Sequence, residues 1–169
     1  MTQLRTIRIF LFAVALGVLY PAERAVAGNP PSGSVSKIHG QLIWGTNDDP
    51  KKYPKLKPVA AEGRKVFGSF KWKHYLVTEE KDFGLKPGEK KKVKMSDKCT
   101  LEVRHLGGGK KTTDPQKFQV NLFGDGKLIG KTTKRLSGHD KIMLGGDLKN
   151  GTAWFVLLQR VEAKPTGKK

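Results

Sequence analysis

Residues 153–158, AWFVLL, constrain the fold more than any other stretch of this chain. A continuous apolar run of that length, bounded by turn residues, fits a strand covered on both faces. Trp, Phe and Val favour extended backbone. A second apolar run, residues 142–144, lies just upstream. The Gly- and Asn-rich connection ends in Asn150-Gly151, a pair that tolerates positive φ. Residues 141–162 therefore read as a β-hairpin whose second strand is the core of the domain.

The chain before this hairpin shows period-two alternation with frequent turn signals. Residues 38–44 place Ile38, Gly40, Leu42 and Trp44 on one face, the first expected strand. Residues 47–58, with three prolines and four lysines, read as a loop. Residues 59–70 form a candidate short helix with Val59, Val66, Phe67 and Phe70 on one face, weakened by Gly63 and Gly68. Residues 72–78 predict a second strand, and residues 83–88 a turn around Pro87-Gly88. Residues 92–95 and 99–106 alternate about a turn at Ser96-Asp97-Lys98. Residues 107–115 read as a mobile loop. Asp125-Gly126 joins strands at 117–123 and 127–136, a strong hairpin signal. Short strands at this spacing predict a mostly β fold: an antiparallel β-sandwich or small β-barrel, with one short helix on its N-terminal side.

The first 27 residues are expected to be a signal peptide. Arg5 and Arg8 precede the apolar segment 9–20, Pro21 breaks it, and Ala25-Val26-Ala27 forms a cleavage site before Gly28. The apolar segment is short for a membrane span, and no later segment is long enough, so no transmembrane segment is expected after removal. Residues 28–36 then form a flexible leader, 37–162 a single β-rich domain, and 163–169 a disordered basic tail. The expected location is outside the cytoplasm, periplasmic or extracellular. The first 27 residues carry Arg5, Arg8 and Arg24 against Glu23, so the remaining 142 residues keep +16 of the chain's +18. Such a charge attracts polyanions. Cys99 is the sole cysteine, so no intrachain disulfide supports the fold. It alternates with Leu101 and Val103 and reads as a small buried apolar residue.

No catalytic constellation emerges. His39, His74, His105 and His139 lack metal-ligand spacing. Gly107-Gly108-Gly109-Lys110-Lys111-Thr112 resembles the end of a phosphate-binding loop, but no helix pattern follows. No G-x-S-x-G elbow occurs. Adjacent acids at Asp48-Asp49 and Glu79-Glu80 sit in polar, solvated contexts rather than in the spaced pair that glycosidic hydrolysis needs. Nothing calls for a cofactor or a metal.

The basic residues are the strongest compositional signal. Lys90, Lys91, Lys92 and Lys94 cluster on one strand, with Lys92 and Lys94 opposite Val93 and Met95; Lys71 and Lys73 flank Trp72. These six are the candidate polyanion-binding residues, a strip able to follow a phosphate or sulfate polymer. The plainer reading is a solvated edge that resists aggregation. Specific nucleic-acid binding is disfavoured, because no recognisable module is present.

The segments VFGSFKWKHYLV, KVKMSDKCTLEV and KIMLGGDLKNGTAWFVLL resemble those of a group of small exported bacterial β-domain proteins. That group shows a signal peptide, a proline-containing loop, a short helix, an F-K-W/Y-x-x-Y strand and a meander closing on an L-G-G turn. The likeness covers most of residues 38–158; Gly68-Ser69 before Phe70 departs from the group's continuous pattern. It implies the fold and export, and no functional residue, since no activity is assigned to the group. The expected function is an exported, non-enzymatic envelope domain that binds or scaffolds an anionic polysaccharide or an envelope protein. The alternative is an envelope hydrolase whose acids or histidines converge only in three dimensions. Oligomeric state is not readable from the sequence.

Overall fold

The computed structural model describes residues 34–109, 114–138 and 140–161. The expected signal peptide with its cleavage site before Gly28, most of the expected leader, the expected basic tail, His139 and Lys110-Lys111-Thr112 lie outside the described residues. Among the described residues the strands, in chain order, are β1 (Ser36–Thr46), β2 (Lys57–Pro58), β3 (His74–Leu85), β4 (Lys90–Lys94) and β5 (Cys99–Gly108). There follow β6 (Gln116–Gly124), β7 (Lys127–Leu136), β8 (Lys141–Asp147) and β9 (Ala153–Val161). One short helix, α1 (Ala61–Arg64), precedes β3.

The strands make two antiparallel sheets, ordered β2-β3-β1-β9-β8 and β4-β5-β6-β7. Neither closes on itself, so the architecture is a β-sandwich rather than a barrel. β9 pairs with β1 on one side and β8 on the other, as its unbroken apolar run predicts. Its side chains alternate between two cores. Trp154, Val156 and Leu158 point between the sheets, toward Leu101, Val120 and Leu122. Ala153, Phe155 and Leu157 point to the opposite face, where α1 and its flanks bring Val59, Phe67 and Trp72. The Phe155 ring lies 5.2 Å from Phe67 and 5.8 Å from Trp72. The larger sheet is thus covered on both faces over part of its area, while the outer face of the smaller one bears no covering element among the described residues.

Three turns rely on positive φ: Gly88 (81°) between β3 and β4, Asp125 (47°) and Gly126 (78°) in the β6–β7 hairpin, and Gly151 (78°) before β9. In the L-G-G segment, Gly145 faces Phe155, and a Cβ there would collide with the Trp154 carbonyl oxygen. Only glycine fits.

Several expectations shift. The second strand begins at His74 rather than Trp72, because the Trp72 indole turns inward and donates to the Gly151 carbonyl at 2.9 Å. It also runs through Leu85, taking in the first three residues of the expected 83–88 turn and leaving the turn itself at Pro87-Gly88. β1 offers a partner along that whole length, down to Leu85 against Ser36. The helix spans only Ala61–Arg64, followed by a 3₁₀ turn, Lys65–Phe67. Gly63 packs against Val59 there, with no room for a Cβ. The proline-rich loop holds a 3₁₀ turn, Pro50–Lys52, and the two-residue β2. β5 extends to Gly108, into the expected loop.

The sandwich has two unlike ends. Where β5 meets β6, His105 and Arg160 are buried, at 0 % and 2 % exposure. His105 contacts Gln116 at 3.1 Å through Nε2 and stacks on Phe118. Arg160 donates to the carbonyls of Asp114 and Leu136. At the other end, where the β4–β5, β6–β7 and β8–β9 turns meet, the sheets part over an apolar cleft.

Candidate polyanion-binding face

Side chains paired across neighbouring strands share a face, so the register of the smaller sheet decides which cations meet. Lys90 pairs with Arg104, Lys92 with Glu102 and Lys94 with Thr100. Arg104 continues to Gln119 and Glu102 to Asn121. Across β7, Asn121 pairs with Lys131 and Lys117 with Arg135. All of these lie opposite the buried Val93, Leu101, Val103, Phe118 and Val120, and so point outward. Strands about 4.8 Å apart, with outward residues about 6.7 Å apart along each, set these cations on a two-dimensional grid.

One carboxylate stands among them. Glu102 accepts from Asn121 at 3.1 Å and lies 3.4 Å from the Lys90 ammonium. Burial pushes its carboxyl up, but the Asn121 hydrogen bond and the Lys90 and Lys92 charges outweigh that and hold it below the usual range. At the strand's end Lys94 contacts Asp97 at 2.7 Å and draws that carboxyl down in the same way.

Of the six residues expected from sequence, Lys90, Lys92 and Lys94 lie on this outward face. Lys91 has the register of Val93 and sits exposed at the strand margin. Lys71 and Lys73 are elsewhere, in the segment before β3 in the other sheet. The Lys71 ammonium reaches Asp147 at 3.0 Å, at the end of edge strand β8, and sits 4.9 Å from the Trp72 ring centroid. β8 lies beside β7, whereas β4 lies beside β3, so Lys71 and the β4 lysines mark opposite edges of the sandwich. Trp72 is 6 % exposed and serves the outer core rather than offering a stacking surface.

Arg104, Lys117, Lys131 and Arg135 escaped the sequence reading. A signal was present: each alternates with buried residues in its own or its partner strand. Their assembly on one face with the β4 lysines depends on register.

The remaining chemistry-bearing groups are dispersed. His39 contacts Asp82 at 2.7 Å on the outer face of the larger sheet, beside Glu80. His105 is enclosed at the polar end. Cys99 is buried in the inter-sheet core, and that burial pushes its thiol up. Among the described residues no three His, Cys, Asp or Glu side chains converge as metal ligands. No helix among them is long and apolar enough to cross a membrane. Comparison with family models, curated proteins and solved structures finds no match to this chain.

Proposed function

We propose that this protein is an exported, non-enzymatic β-sandwich of the bacterial cell envelope that binds anionic polymers, polysaccharides foremost, on the outer face of its smaller sheet. One observation carries the reading: the β4–β7 register gathers Lys90, Lys92, Lys94, Arg104, Lys117, Lys131 and Arg135 on one face, against the carboxylate of Glu102 within it and that of Asp97 at its end. A flat cationic grid suits an extended polymer better than a small substrate, which needs a concave site. The polar residues between the cations, Gln119, Asn121 and Thr133, add hydrogen-bonding groups for hydroxyl-rich chains. Export rests on the signal-peptide pattern of residues 1–27.

Heparin serves as the test polymer. Affinity should fall steeply with salt, because each neutralised anionic group releases counterions. Replacing Lys90, Lys92, Lys94 and Arg104 by Gln should flatten that dependence. Replacing Lys51, Lys52, Lys55 and Lys57, all exposed, the first three between β1 and β2 and the last in β2, should leave it nearly unchanged. Equal losses in both variants would mean that binding follows total charge and would sink the assignment to this face.

A further inference from the structure

The apolar end of the sandwich lies outside the proposed polymer-binding face, and of the grid cations Lys94 borders it. The cleft there encloses about 620 Å³, within the range of small-ligand sites. Leu42, Trp44, Phe123 and Trp154 form half-buried walls, and Ile129 and Leu148 stand at the rim, 51 % and 41 % exposed. Cys99 lies among the lining residues. Water-facing apolar groups gathered in a concavity mark a site that gains from being filled. The hydrogen-bonding side chains of the lining are Thr78, Ser96, Lys98, Asp125 and the indole N–H groups of Trp44 and Trp154, few for so large an apolar surface. A peptide or a sugar would leave its polar groups unpaired in such a cleft; a hydrocarbon chain would not.

Charge selects the head group. Lys98 is exposed at the rim and has no carboxylate partner among the described residues. Lys127 and Lys149 lie next to the cleft, one paired with Gly124 and the other following Leu148. Asp125 is the one acid in the lining.

We propose that this cleft binds the chain of a single-chain anionic amphiphile of the fatty-acid class, with the carboxylate held by Lys98. The site stands independently of the polymer-binding face, and replacing Lys90, Lys92 and Arg104, with Lys94 kept, should leave its ligand unaffected.

Tryptophan emission reports directly on occupancy. Trp44 and Trp154 line the cleft, whereas Trp72 lies on the other side of the larger sheet, in the outer core. Brominated stearate, added below its micellar concentration, should quench Trp44 and Trp154 saturably and spare Trp72, as read in single-tryptophan variants. Lys98→Gln should weaken binding about tenfold, the scale of one lost charge-assisted contact. A long-chain amine should bind more weakly than the acid, and less affected by that change. Ile129→Glu alters an exposed residue, so the fold should persist (checked by circular dichroism) while stearate binding is lost. Absence of quenching overturns the proposal, as does quenching insensitive to both substitutions. Interaction only with anionic vesicles overturns it too, since that would make the end a membrane-contact surface instead.

Discussion

Phe155 and Trp154 are chain neighbours with opposite surroundings. Phe155 is 3 % exposed and sits at the centre of an aromatic cluster that includes Phe67, Phe70, Trp72 and Tyr75. Phe155→Ala should cost about 3–5 kcal/mol, because the cavity is walled by rings that cannot collapse into it. Trp154 is half-buried against the cleft, so Trp154→Ala should cost only about 1–2 kcal/mol, part of a full burial. Urea unfolding of the two variants separates these values; equal costs would contradict the two-core arrangement. Glu102 is the other informative residue. Its folded-state pKa is lowered, so the stability of its ionised form is present above the ordinary carboxylate pKa. That contribution is lost as pH falls through the lowered value. Glu102→Gln should remove this part of the acid limb of the stability curve. It should also tighten heparin binding at neutral pH, by removing the face's negative charge and freeing Lys90. Unchanged or weaker heparin affinity in a salt titration would argue against the grid acting as a unit.

At the scale of elements, the β8–β9 hairpin depends on the close approach at Gly145. A Cβ at Gly145 meets the Trp154 carbonyl and the Phe155 ring, whereas one at Gly146 meets nothing within 4 Å. Gly145→Ala should therefore cost about 1–3 kcal/mol, as overpacking does, and Gly146→Ala well under that. Thermal melting of the pair tests the register directly, because a slip of one residue would exchange their roles. The edge strand β4 carries a different burden. Its lysines leave the sheet edge solvated and disfavour pairing with another chain. This protective role is compatible with ligand binding, since the outward side chains serve both.

At the scale of the molecule, charge is unevenly distributed. The outer face of the larger sheet carries Glu80 and Asp82 around His39, while the smaller sheet gathers cations. Self-repulsion within a +18 chain lowers its stability, and a polyanion that binds only the folded state raises it. Heparin at low salt should therefore raise the melting temperature. The rise should be smaller for the Lys90, Lys92, Lys94 and Arg104 variant, and should vanish at high salt. An equal rise in the variant, measured by differential scanning fluorimetry, would place the stabilising contact elsewhere.

Sequence alone determined the class of fold and its central strand, because the signals for these are local. AWFVLL is a strand apolar on both sides, Asp125-Gly126 is a turn dictated by backbone sterics, and Cys99 alternates with Leu101 and Val103 into the core. The length of β3 was hidden, since its polar stretch Thr78-Glu79-Glu80-Lys81-Asp82 becomes strand by pairing with β1, a partner remote in sequence. Arg160 shares the parity of Trp154, Val156 and Leu158, so its inward direction was legible; its burial depends on carbonyls offered by Asp114 and Leu136. The cationic grid divides in the same way. Alternation decides that Arg104, Lys117, Lys131 and Arg135 face away from their buried neighbours. Only the register and order of β4 to β7 decide that they share one face with Lys90, Lys92 and Lys94, while Lys71 goes to Asp147 at the far edge. Period and turn chemistry are properties of adjacent residues, whereas pairing and sheet order are set by burial summed over the whole chain.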